Sequence, residues 1–278
     1  MRLFVSDMDG TLLGADSRVS AGTVSILRRL TTEGVMFTVA TARTPATVQP
    51  LLEGIGGDVP AVVMTGAALW NRAAQTYSGV SFIPADEYDM VMELCMRRGV
   101  HPFVYVLSPE MHLDVYHAAR SLSRPEKGFV DQRRHLKLKT FHLATPAPAS
   151  LGRNCAVLVF AIGPLSELRM LASEISNTVS CSLSCYPDIF DPSTGYLEVF
   201  APGVSKAAAV ERLKKQTGAD SLVVFGDNLN DLPMMAVADV AVAVGNALPE
   251  VKTAADVVIG PNTADSVAHY IESVVRGI

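Results

Sequence analysis

The stretch from Phe4 to Leu13, FVSDMDGTLL, constrains the fold more than any other part of this chain. A short apolar run ends in two aspartates one residue apart and then a Gly-Thr turn. Apolar runs that stop at turn residues read as buried strands. A buried strand ordinarily ends hydrophobic, whereas this one carries Asp7 and Asp9 to its carboxyl end. That end is where open α/β sheets place their ligands. Unpaired buried carboxylates are costly, so a cation is the simplest neutraliser. Taken alone, the pair is also what a turn and a helix cap would show.

The rest of the chain supplies the sheet for such a strand. Ser20 caps a predicted helix carrying Val24, Leu27 and Leu30, stopped by Gly34. A strand from Val35 to Ala40 ends at Thr41-Ala42-Arg43, and a helix follows from Pro45 to Leu52. Ala61 to Met64 is a third strand, with hairpin-like strands expected at 68–70 and 75–78. Strand-helix alternation argues for a parallel sheet. The pattern changes after this. A helix is expected over 86–98, a hairpin over 103–116, a basic irregular stretch over 120–139 and a loop over 146–153. A strand at 156–162, a helix at 167–175 and strands at 179–186 and 196–200 follow. This mixture reads as an α+β unit inserted at 84–189 into a core formed by 1–83 and 190–278. From Pro202 the alternation returns, with a helix from Lys206, a strand at 221–225 ending in GDNLND, short strands at 240–244 and 256–259, and a last helix capped by Thr263.

Composition narrows the function. The chain of 278 residues is 49% hydrophobic and carries a formal charge of −5, which gives no electrostatic footprint for nucleic acid. No apolar run reaches the length of a membrane span, and the first residues lack the form of a secretory leader. Cys95, Cys155, Cys181 and Cys185 make no C-x-x-C pair, so free thiols in a reducing cytoplasm are the expectation. A partner other than a small molecule is not indicated, and the oligomeric state is left open.

In a parallel sheet the strand ends share one edge. Asp7, Asp9, Thr41, Asp227 and Asp231 would then meet there, with Lys206 at a helix start. A lysine at a first helical position opposes the helix dipole by roughly 0.3–1 kcal/mol, which a surface side chain tolerates and an anionic pocket would repay. Oxygen ligands without cysteine or histidine suit a hard cation, Mg²⁺ where phosphate is the co-ligand.

DMDGTLL, TAR, the lysine of GVSK and GDNLND, in that order, resemble the four motifs of the haloacid dehalogenase-like phosphatases. The resemblance is to the Cof-type branch, which carries a large α/β cap (type IIB). It spans the whole chain and includes VAVGNALPEVKTAADVVIGPN near the carboxyl end. It implies a Rossmann-like three-layer α/β core with a parallel sheet and an inserted α+β cap that closes over the core and selects the substrate. It implies a Mg²⁺-dependent phosphatase acting on small phosphorylated metabolites such as sugar phosphates. Asp7 would be the nucleophile and Asp9 the general acid and then base. Asp7, the backbone carbonyl of Asp9 and Asp227 would hold Mg²⁺. Met8 and Ala42 amides, Thr41, Lys206 and Asn230 would bind the phosphoryl group, with Asp231 and Arg43 in support. Three positions depart from the branch, which usually has Gly at Ala42, Asn at Thr65 and often Glu at Leu229. A phosphomutase shares the first half of that chemistry. A receiver-like phosphate-binding module shares the acidic residues, the Thr and the Lys, but has no use for a general acid at Asp9 and needs an open site. A dinucleotide-binding reading fails at Gly54-Ile55-Gly56-Gly57, which lacks the third glycine at Val59.

Overall fold

The computed structural model describes residues 1–188 and 190–277. Ile189, at the expected end of the insertion, and Ile278 lie outside the described residues. The chain forms two compact units, one from 1–78 and 205–278 and the other from 79–204.

The first unit opens with β1, Arg2–Ser6, buried from Leu3 onward. Helix Ala21–Thr32 follows, with the Ser20 hydroxyl accepting from the Thr23 amide as the sequence predicts. β2, Met36–Val39, lies parallel to β1. β3, Ala61–Val63, departs from expectation. A single parallel bridge, Ala40 to Val62, ties it to the end of β2. Its ladder is antiparallel with β4, Ala68–Asn71, which pairs with β5, Thr76–Ser78. A strand three residues long cannot record in its own sequence which neighbour it will pair with.

The second unit is a mixed sheet. Its strands are β6 (Phe103–Leu107), β7 (Leu113–His117), β8 (Lys139–Leu143), β9 (Ala156–Pro164), β10 (Ser182–Pro187) and β11 (Thr194–Phe200). They run in the order β10-β11-β9-β6-β7-β8, antiparallel except for β7 with β8. Helices Ala85–Arg97 and Leu165–Thr178 supply Val91, Leu94, Leu168, Leu171 and Ile175 to a core shared with Val104, Val159 and Leu197. β11 is bonded into this sheet, although the sequence reading returns to the core at residue 190. The stretch over 120–139 is also more regular than its composition suggests. Ser123 and Glu126 form a capping box for the helix Arg124–Asp131, and Phe129 packs at 5.1 Å from the Phe160 ring. The expected loop at 146–153 contains the helix Ala149–Cys155, where Gly152 lies against Tyr88 too closely to admit a side chain.

The chain then resumes the first sheet with β12 (Ser221–Gly226), β13 (Val240–Ala243) and β14 (Val257–Val258). The order β14-β13-β12-β1-β2 is parallel throughout and places β1 between β12 and β2. The last helix, Ser266–Arg276, begins after Asp265, which occupies the capping position assigned from sequence to Thr263. Asp265 accepts hydrogen bonds from Ser20 and Thr23 and so ties the two ends of the unit together. All four cysteines are free. Among the described residues no helix is long and apolar enough to cross a membrane.

Candidate active site

Register alone brings the acidic strand ends side by side. Ser6 pairs with Phe225, and the Asp7 amide donates to the Phe225 carbonyl at 2.9 Å. Asp7 therefore leaves β1 beside Gly226 and Asp227 as they leave β12. Gly10 then turns back with φ +80°, and a side chain there would meet Asp227 Oδ2 at 2.4 Å. The turn is locked by Thr11, whose hydroxyl donates to Asp227 Oδ1 at 2.8 Å.

Lys206 enters from a third direction. It starts the helix Lys206–Thr217, capped by the Ser205 hydroxyl accepting from the Ala208 amide. Its ammonium donates to Asp7 Oδ1 at 2.5 Å and to Asp231 Oδ1 at 2.9 Å, and the side chain is only 5% exposed. The other Asp231 oxygen accepts from the Asp227 amide at 3.1 Å and the Asn228 amide at 3.3 Å. The helix start is seated by the turn Met64–Gly66. Gly66 has φ +100°, and a side chain on it would strike the Ser205 carbonyl at 2.3 Å. Met64 and Thr65 are also left-handed, with φ of 49° and 57°. Such strain is rare for a β-branched residue and gathers at functional sites. The Thr65 amide donates to Thr41 and the Met64 amide to Arg43, so one strained turn joins the 41–43 loop to the lysine helix.

Asp7, Asp227 and Asp231 present carboxylate oxygens all within 4.8 Å of one another. Burial chiefly pushes Asp7 up to about 7; Lys206 opposes this, and Asp231 and Asp227 reinforce it. Burial likewise lifts Asp227 to about 6, against the hydrogen bond from Thr11. Burial lowers the proton affinity of Lys206, but Asp7 and Asp231 more than reverse this and hold it charged. One ammonium thus faces three carboxylates. Both Asp231 oxygens are engaged, whereas Lys206 takes one oxygen of Asp7 and Thr11 one of Asp227. An all-oxygen donor set with excess negative charge fits a hard divalent cation such as Mg²⁺.

The remaining predicted residues form a second group. The Asp9 side chain is 56% exposed, lies outside the carboxylate cluster and pairs with Arg43: Nε to Oδ2 at 2.8 Å and Nη2 to Oδ1 at 2.6 Å. Thr41 is buried, and its hydroxyl accepts from the Arg43 amide at 3.2 Å. Met8 is fully buried, Ala42 is exposed in the same turn as Arg43, and Asn230 is exposed on the turn Leu229–Asp231. Sequence reasoning assigned no role to Thr11, Asn246 or Asn262. Asn246 donates to the Gly10 carbonyl at 2.8 Å, and Asn262 donates to the Leu13 carbonyl at 2.7 Å, so both brace the aspartate turn. Thr11 lies within the DMDGT motif and Asn246 within VAVGNALPE, the signals that pointed to them.

A family model for haloacid dehalogenase-like hydrolases matches residues 4–271. The chain is 25% identical over 279 residues to the pyridoxal phosphate phosphatase YbhA of Escherichia coli, covering 98% of each chain. A haloacid dehalogenase-like hydrolase from Bacteroides thetaiotaomicron superposes with a TM-score of 0.78 at 22% identity, over 98% of this chain and 99% of that one. The subclass IIB sugar phosphatase BT4131 superposes with a TM-score of 0.71 at 20% identity, over 99% of both.

Proposed function

The chain belongs to the haloacid dehalogenase-like hydrolases and is a phosphatase of that type; from that premise we propose that it hydrolyses small phosphomonoesters through a phosphorylated Asp7, with Mg²⁺ as cofactor. The observation that carries this reading is the Lys206 ammonium shared between buried Asp7 and Asp231, with Asp227 completing the carboxylate cluster. A carboxylate that must attack a phosphate dianion has to be relieved of charge repulsion, and Lys206 does this directly. Asp7 and Asp227 would hold the cation together with the Asp9 carbonyl, and the cation would supply further charge neutralisation at the transferring group. Asp231 serves by fixing Lys206 and the Asp227 turn.

In the first step an Asp7 oxygen bonds to phosphorus, the ester P–O bond breaks, and the leaving oxygen takes a proton from Asp9. In the second step a water oxygen bonds to phosphorus, its proton passes to Asp9, and the bond to Asp7 breaks. The phosphoryl group is held by the Met8 and Ala42 amides, Thr41, Lys206 and Asn230. The unit at 79–204 is the cap that selects the substrate. The relatives act on pyridoxal phosphate in one case and sugar phosphates in another, and both substrates are compact monoesters. The test is phosphate release across a broad panel of phosphomonoesters with Mg²⁺, comparing wild type with Asp9→Asn. Release by wild type and not by the variant supports the reading, and the ranking narrows the substrate. Release from no ester would refute it.

A further inference from the structure

The pairing of Asp9 with Arg43 has a geometry that a surface ion pair does not need. Exposed ion pairs contribute about 0–1 kcal/mol to stability, so folding gains little from this one. Its two hydrogen bonds are parallel, one to each carboxylate oxygen, which fixes the plane of the group as well as its position. Without them a side chain 56% exposed would exchange among solvent-facing rotamers. Arg43 is itself fixed on both sides of its Cα. Its amide donates to the Thr41 hydroxyl, and its carbonyl accepts from Met64 at 3.0 Å. The carboxylate is therefore aimed from the neighbouring strand end, the loop of Thr41, and not from its own turn. One N–H on each oxygen leaves a further lone pair on each for a proton in transit.

We infer that Arg43 is a positioning residue for the reaction proposed above, holding the Asp9 carboxylate in the direction along which protons pass in both half-reactions. The inference rests on that reading of Asp9 and adds the residue through which Asp9 is aimed. Lysine could not replace it, because a point charge fixes no plane.

The leaving group separates this role from simple phosphate binding. 4-Nitrophenolate departs without a proton, so its release in the first step does not depend on a general acid. An alkyl alcohol needs one. Stopped-flow first-turnover and steady-state rates would be measured with 4-nitrophenyl phosphate and an alkyl phosphate. The proteins are wild type, Arg43→Ala, Arg43→Lys, Asp9→Asn and Asp9→Asn/Arg43→Ala, all with Mg²⁺. For Arg43→Ala we expect first release of 4-nitrophenolate within roughly threefold of wild type, then a steady state at least about tenfold slower, seen as a burst. The first turnover of the alkyl ester should fall by at least about tenfold. Arg43→Lys should resemble Arg43→Ala and carries the same comparison if the alanine variant does not fold. Removing Arg43 from the Asp9→Asn enzyme should cost nothing further. Equal first-turnover losses with both esters, or additive losses in the double variant, would show Arg43 acting on the phosphoryl group itself and overturn the inference. Unchanged rates in Arg43→Ala would overturn it as well. A wild type that turns over neither ester would sink the phosphatase reading and this inference with it.

Discussion

Replacing Lys206 with methionine tests the electrostatics of the site in the absence of any ligand. Lys206 is 5% exposed and bridges Asp7 and Asp231, both themselves buried. Methionine keeps most of the volume and removes the charge. Removing one partner of a buried pair strands the other, typically at about 3–5 kcal/mol. We expect that loss near pH 7.5 with chelator present, so that no cation compensates. The loss has a predictable pH dependence. Lys206 remains charged across this range, so the change comes from the carboxylates. Asp7 already takes its proton near pH 7 with the lysine in place, and without it protonates at higher pH still. At about pH 5 Asp7 is neutral in both folded proteins, and by linkage the cost should fall by up to about 1 kcal/mol. Urea unfolding followed by tryptophan emission isolates the relevant unit. Trp70 is the only tryptophan in the chain, is 2% exposed and belongs to the same unit as Lys206. A loss below about 1 kcal/mol near pH 7.5, or the same loss at both pH values, would show that Lys206 does not neutralise Asp7 and Asp231 in this way.

Other consequences are checked more briefly. Asp7 and Asp227 have folded pKa values of about 7 and about 6, raised from 3.8, so the stability they confer is present below about pH 4 and lost as pH rises through 6 to 7. Mg²⁺ binds the ionised forms, so its stabilisation of the protein in a thermal melt should grow across that window, and a pH-independent increment would contradict the donor assignment. Asp7→Asn should fold as well as wild type, because it removes a carboxylate whose burial is costly, yet retain less than about a hundredth of the activity. Matched denaturation and rate measurements decide both halves. Thr65→Asn should stabilise the protein by about 1 kcal/mol, since asparagine tolerates the left-handed backbone at φ 57° and threonine does not. A urea midpoint at or below that of wild type would argue against strain at Thr65.

What the sequence made legible is local. FVSD and LVVFGD are apolar runs that end in acid, and their strand character and burial follow from composition alone. The Ser20 and Ser205 caps sit where a serine precedes a periodic apolar stretch. Pairing was not legible. Nothing in Ala61–Val63 says that it takes its ladder from β4, and nothing in Thr194–Phe200 says that it lies between β10 and β9 in the sheet of the second unit. Two helices were hidden by their composition. Arg124–Asp131 lies inside the basic stretch 120–139, and its capping box is a finer signal than that charge. Ala149–Cys155 follows two prolines and contains Gly152, a residue read as loop until its close packing against Tyr88 is seen. At the site, the motifs identified which side chains matter but not whom they touch. The hydrogen bond from Thr11 to Asp227 spans 216 positions, and the Asp9 pair with Arg43 spans 34. Both are products of strand order, which no window of sequence contains.

Turnover through a covalently phosphorylated Asp7 leaves a trace that chemistry can trap. Borohydride reduces an aspartyl-phosphate to homoserine and leaves a free carboxylate untouched. The protein would be quenched into borohydride during turnover of a phosphomonoester with Mg²⁺, digested with trypsin, and the peptide Leu3–Arg18 examined by mass spectrometry. Homoserine is expected at position 7 and unmodified aspartate at position 9, only when ester and Mg²⁺ are both present, and more of it in Asp9→Asn with 4-nitrophenyl phosphate. Steady phosphate release with Asp7 unmodified under every quench time would contradict turnover through a phosphorylated Asp7.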